Sequence, residues 1–162
     1  MGCDIHCYME YKPATSDRWS SFGGRINPGR NYAAFGQLAG VRGGTAMVDP
    51  RGVPDGLGWQ AADDNRIYIS DTPSDGTVTP QKAAQWVASG SSHYIMSHDG
   101  RPVCVSHPDH HTHSWLAPDE WEAALARETE WPVGVEYRAM SAAMRELERS
   151  GAQVRVVFWF DN

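Results

Sequence analysis

Cys3-Asp4-Ile5-His6-Cys7-Tyr8-Met9-Glu10-Tyr11 reads as the first β-strand, and its alternation organises the rest of the chain. Successive side chains of a strand point to opposite faces. Cys3, Ile5, Cys7, Met9 and Tyr11 therefore share one face, and Asp4, His6, Tyr8, Glu10 and Lys12 the other. On the second face a carboxylate and an imidazole stand two strand steps apart, roughly 7 Å. Oxygen and nitrogen donors in combination suit zinc, manganese or iron. Cys3 and Cys7 are separated by roughly 13 Å on such a strand, too far to share a metal, and read as core thiols.

A second strand is expected at the far end of the sequence. Val154 to Phe160 is rich in β-branched and aromatic residues, a composition that fits a pleated, buried surface. If it runs antiparallel beside the first strand, Asp161 lies near Asp4; the plainer alternative is that Asp161 only solubilises the chain end. Between them, Asn31 caps a short helix whose Tyr32, Phe35 and Leu38 share a face and which Gly40 stops. Residues 43–65, rich in glycine and proline, read as loop, and Arg66 to Ser70 as a short strand. Thr79-Pro80 opens a second helix. Asp99-Gly100 marks a hairpin that sets Met96 opposite Val103 and Tyr94 opposite Val105. Pro118 begins a third helix, with Asp119 and Glu120 at its positive end. Val135 to Ser150 forms the longest, with Tyr137, Met140, Met144 and Leu147 on one face. The expectation is one α+β domain over residues 1–162. It has a mainly antiparallel sheet that includes the N- and C-terminal strands, about four helices and long Gly/Pro-rich loops.

The 162 residues suffice for a core without disulfides. Three cysteines, an odd number, favour a reducing compartment. No signal peptide and no apolar run of spanning length is present, so a cytoplasmic location is expected. A formal charge of −6 argues against general coating of DNA.

Three groups of residues bear chemistry. The first joins Asp4 and His6 to His107-Pro108-Asp109-His110-His111-Thr112-His113. In an extended segment His107, Asp109, His111 and His113 share one side. His113 is the preferred ligand because it leads into Ser114-Trp115-Leu116, expected in the core. The expected metal set is Asp4, His6 and His113, with His111 and Asp161 as further members; the divalent ion would be zinc, manganese or magnesium. The second group is a run of arginines, Arg18, Arg25, Arg30 and Arg42, with no acid among residues 18–48. Arg30 and Asn31 lead into a helix N-terminus, whose free amides favour an anion, and arginine offers a planar fork for phosphate oxygens. Arg30, Asn31, Tyr32 and Arg42 are thus the expected substrate-binding residues. Pairing of these arginines with Glu136, Glu146 and Glu148 of the long helix is the plainer alternative. The third group is Trp19, Trp59, Trp86 and Trp131, read as core or as interaction surface.

Met1-Gly2-Cys3-Asp4-Ile5-His6, Gly29-Arg30-Asn31-Tyr32 with Phe35, Leu38-Ala39-Gly40-Val41-Arg42, His113-Ser114-Trp115-Leu116 and Val156-Val157-Phe158-Trp159-Phe160-Asp161-Asn162 together resemble a family of small proteins of tailed bacteriophages. The resemblance implies a phage origin and action in the host cytoplasm. It transfers no catalytic residue, since no activity is established for the family.

The functional expectation is a metal-dependent hydrolase of a phosphoester or nucleotide. Asp4, His6 and His113 would hold the ion that activates water, and Arg30 and Arg42 would clamp the phosphate. Two alternatives stand beside it. One is a non-catalytic binder that sequesters a host nucleotide signal, with an aromatic ring on the base. The other is a protein-interaction or virion component.

Overall fold

Two eight-residue strands from opposite ends of the sequence, β1 (Ile5–Lys12) and β8 (Gln153–Phe160), pair antiparallel along their full length. The computed structural model describes residues 2–128 and 132–162; Met1 and Trp131, both invoked above, lie outside them. β1 and β8 are the centre of a four-stranded sheet. β2 (Ser20–Ser21) lies outside β1, and β7 (His111–Leu116) outside β8.

The register follows the alternation read from the sequence. Ile5 faces Phe160, Cys7 faces Phe158 and Met9 faces Val156; the intervening pairs are His6 with Trp159, Tyr8 with Val157 and Glu10 with Arg155. The first set enters the main core. There it packs with Phe35 and Leu38 of α1 (Tyr32–Ala39), Trp121 and Leu125 of α4 (Pro118–Ala126), and Tyr137, Met140 and Met144 of α5 (Val135–Arg149). The opposite face is covered too: Tyr8, Val157 and Trp159 pack with Leu57, Ala61 and Trp115. Every residue of β8 after Gln153 is consequently buried. At about 1.5–3 kcal/mol per large apolar side chain, this strand is the main source of hydrophobic stabilisation in the sheet.

Glu10 and Arg155 form a cross-strand ion pair inside the second face, fully and almost fully buried respectively. Arg155 Nε donates to Glu10 Oε2 at 2.8 Å. The remaining capacity is spent on the loop before α2 (Trp59–Asp64): Glu10 Oε1 accepts from the Gly58 amide at 2.7 Å, and Arg155 donates to the Asp55 and Gly56 carbonyls. Burial lowers the Arg155 pKa, and the Glu10 hydrogen bond works against that shift. The pair thus clips residues 55–58 onto the sheet. α2 departs from the loop expected over residues 43–65, because the Gly/Pro density of that segment masks a six-residue helix.

α1 is built as expected. The Asn31 side chain accepts from the Ala34 amide at 3.0 Å, and Gly40 closes the helix at φ 70°. Gly36 and Gly44 bring the helix and the chain that follows it into backbone contact: a Cβ at Gly44 would lie 2.2 Å from the Gly36 Cα.

By their contacts, the residues up to Ala61 together with His111–Asn162 make one compact unit, and Ala62–His110 make a second. The second holds its own four-stranded sheet, β4 (Thr77–Val78), β3 (Arg66–Ile69), β6 (Pro102–Ser106) and β5 (Tyr94–Met96) in that order, with α3 (Pro80–Ser89). Val78, Ala83 and Val105 form its small core with Ile67, Ile69, Trp86 and Val87. Tyr94 faces Val105 as expected, but Met96 faces Pro102 rather than Val103. The Gly100 amide bonds Ser97 O, Ser97 N bonds Arg101 O, and of the turn residues Gly100 has positive φ. The turn therefore carries a bulge that consumes one residue, and it is not a two-residue Asp-Gly turn.

The α+β class holds, with antiparallel pairing dominating both sheets and the strands from both ends paired in one of them. The described residues contain five α-helices, four of them longer than six residues.

Two substitutions test this framework. Glu10→Gln should cost about 3–5 kcal/mol in urea unfolding, since it leaves a buried guanidinium without its counter-charge. Gly44→Ala should cost about 1–3 kcal/mol through the forced separation from α1. A Glu10→Gln protein as stable as the parent would show that the 55–58 loop is not held by this pair.

Candidate functional site

The sheet register places three of the expected site residues together. Asp4 precedes β1 and Asp161 follows β8, so antiparallel pairing sets them side by side. The Asp4 amide donates to Asp161 Oδ1 at 2.9 Å, and the Asp161 amide donates to the Asp4 carbonyl at 3.2 Å. His6 Nε2 lies 3.1 Å from Asp161 Oδ2. An ionised carboxylate only accepts, so Nε2 carries the proton of this bond. The Asp4 side chain turns instead to Arg30, whose Nε and Nη2 donate to its two oxygens at 2.5 and 2.8 Å. This is the two-pronged fork that arginine offers a carboxylate. Gly2 makes room for it: a Cβ there would stand 2.6 Å from Arg30 Nη1.

The remaining expected ligands lie elsewhere. His6 and His113 both stack on the Trp159 indole, with ring centroids 5.8 and 5.4 Å away. They reach it from β1 and β7, which flank β8 on either side. Strands two places apart are roughly 10 Å from each other, whereas ligands about 2 Å from one ion are no more than roughly 4 Å apart. Trp159 thus occupies the position where a shared cation would sit.

His111 is displaced again. Thr112 adopts φ 52°, and the β7–β8 register slips between His111 and Ser114. His111 consequently pairs with and stacks on Phe160, on the other face, and its Nδ1 lies 2.8 Å from Thr112 Oγ1. The expectation that His107, Asp109, His111 and His113 share one side fails at this bulge, which flips every side chain beyond it. His107 and His110 belong to the 62–110 unit, where their rings stack 4.0 Å apart. Among the described residues, no three His, Cys, Asp or Glu side chains are placed to hold a metal ion.

The expected substrate-binding residues do converge. Arg30, Asn31 and Tyr32, with Ala33 and Pro132, line a cleft of about 400 Å³ at the N-terminus of α1. The amides of Tyr32 and Ala33 belong to the first turn and have no acceptor within the helix. Tyr32 is half exposed, and the Arg42 guanidinium stands 5.5 Å from its ring centroid. Arg42 reaches that position from a left-handed backbone at φ 63°, an uncommon conformation for a side chain of its size. The ion pairs of the described residues differ from the alternative pairing with the long-helix acids: Arg30 takes Asp4, Arg51 takes Glu120, and Glu148 and Glu146 pair within α5 with Arg145 and Arg149.

The Arg30 hydrogen bonds hold the Asp4 carboxyl below the usual aspartate range. Burial opposes ionisation of Asp161, yet the Asp4 amide and His6 outweigh it, and its pKa is also lowered. Comparison with protein-family models, curated proteins and solved structures finds no match.

Both carboxyls have folded-state values below the roughly 3.9 of an unfolded aspartate. Their contribution to stability is present above that value and is lost as pH falls through the folded values. The melting temperature of the parent should therefore fall steeply below about pH 4, and Asp4→Asn should flatten that limb. An identical acid limb in the variant would show that the Asp4–Arg30 pair does not stabilise the fold.

Proposed function

We propose that this chain binds a small phosphorylated ligand of the nucleotide class without transforming it. The reading rests on the cleft of about 400 Å³ that gathers Arg30, Asn31, Tyr32 and Ala33 at a helix N-terminus. Its volume lies within the range of small-molecule sites. A phosphate there meets the first-turn amides of α1 and the positive end of the helix dipole. Arg30 uses Nε and Nη2 on Asp4, which leaves Nη1 for the ligand. Tyr32, backed by Arg42, provides a ring on which a base can stack. The resemblance to tailed-phage proteins adds the setting: a binder acting in the host cytoplasm, where it would withdraw a nucleotide signal from use.

Metal-dependent hydrolysis is the second reading, carried by the convergence of Asp4, His6 and Asp161. It requires Asp4 to leave Arg30 and His6 to leave Asp161 before either can take an ion, and it has to do without His113.

Calorimetric titration with AMP, GMP, ADP and cyclic dinucleotides, followed by chromatography of the recovered ligand, separates the two. The binder reading expects saturable affinity, recovery of intact ligand with manganese, zinc or magnesium present, and a loss of at least about tenfold in Arg30→Ala, the scale of one charge-assisted hydrogen bond. Cleaved ligand whose formation disappears in Asp4→Ala would establish the hydrolase instead. Affinity that is unchanged in Arg30→Ala would remove the cleft from either role.

A further inference from the structure

A second cleft, of about 530 Å³, lies beside the loop held by the Glu10–Arg155 pair and shares no lining residue with the Arg30 cleft. One wall is the run Asp17-Arg18-Trp19-Ser20-Ser21; the other is Gly56, Leu57 and Trp59. We propose that this cleft is a saccharide-binding site, in which Trp59 stacks on a pyranose ring and Asp17 and Arg18 bind its hydroxyls.

The walls are fixed by buried interactions. Glu10 and Arg155, paired with each other, hold Asp55, Gly56 and Gly58 by three hydrogen bonds. The Arg155 guanidinium also lies 3.9 Å from the Trp19 ring centroid, which pins that indole against the sheet. Gly58 is required here, since a Cβ would stand 2.6 Å from Ser21 Oγ and 2.8 Å from Glu10 Oε1. On this rigid base Trp59 is 70% exposed, the most exposed large apolar side chain among the described residues. Its indole offers a broad apolar face to solvent from the start of α2, whereas Tyr8 and Trp159 on the neighbouring sheet face are covered.

Charge selects the ligand class. Asp17 and Arg18 are exposed, and neither side chain has a hydrogen-bond or ion-pair partner among the described residues. Side by side they cancel, so the cleft favours neither sign. A cation would meet Arg18 and, behind Trp19, Lys12 and Arg155. A polyanion such as single-stranded nucleic acid would meet Asp17 and a chain of charge −6. A neutral ligand with one apolar face and an edge of mixed donors and acceptors suits both walls. A pyranose has that form: its C–H face lies on an indole, and vicinal hydroxyls donate to a carboxylate and accept from a guanidinium fork. The volume is adequate for a disaccharide.

Two-dimensional 15N NMR of the intact chain, with maltose, cellobiose and N,N′-diacetylchitobiose as probes and a decaproline peptide as control, tests the assignment. At least one disaccharide should shift the Trp59 indole resonance saturably at concentrations up to about 10 mM, the weak end of specific binding. Trp59→Ala and Asp17→Asn should each weaken that binding by at least about tenfold with an unchanged melting temperature, because both side chains are exposed. No shift with any of the three sugars would overturn the proposal. So would sugar binding that survives Trp59→Ala, or a Trp59 shift with decaproline alone.

Discussion

Pairing of β1 with β8 is the constraint on which the larger unit depends. Because the two strands run together over eight residues, one register decides three things at once. It directs Ile5, Cys7, Phe158 and Phe160 to α1, α4 and α5. It sets Glu10 opposite Arg155, and so fixes the loop ahead of α2. It also carries Asp4 and Asp161 past the strand ends into mutual contact. A slip of one residue would exchange the two faces, bringing His6, Tyr8 and Glu10 to the helices. The burial of both faces of β8 makes that error costly and the register unambiguous.

The electrostatics near Arg30 follow from the same geometry. Asp4 is a carboxylate supplied by the chain itself, seated where arginine would otherwise hold an external anion. The arrangement keeps the guanidinium oriented at the mouth of the α1 cleft while reducing the net charge an incoming phosphate meets. On the proposed reading, recognition there rests on the directional donors that remain, namely one guanidinium nitrogen and the first-turn amides, more than on long-range attraction. A chain of charge −6, which repels polyanions, and a cleft of about 400 Å³ are consistent with that proposal.

Much of the framework was legible in the residues because local chemistry and tertiary need agree there. The face assignment of β1, the Asn31 cap, the Gly40 stop, the Thr79-Pro80 and Pro118 helix starts and the apolar stripe of α5 all hold. The Asp4–Asp161 contact followed once the two terminal strands were set antiparallel. The same register implies Glu10 opposite Arg155, although a carboxylate on a half-polar face gives no sign that it will be wholly enclosed. Failures occurred where backbone detail overrides alternation. Thr112 at positive φ separates His111 from His113, and Gly100 shifts the β5–β6 register by one residue. Neither bulge has a signature distinct from ordinary loop composition. The insertion of Trp159 between His6 and His113 was hidden for a different reason. It requires knowing that β8 lies between β1 and β7, and strand order is a property of the assembled sheet.

The separation in sequence between β1 and β8 also bears on how the chain reaches this state. Its first strand has no central partner until residues 153–160 have been made, so during synthesis the Ile5–Met9 segment waits with an unpaired edge and an apolar face in water. Residues 62–110 draw on contacts nearer in sequence and can order beforehand, which shortens the flexible chain to be closed when the last strand arrives. A sheet whose two central strands are the first and last to be made thus leaves its apolar centre to close last.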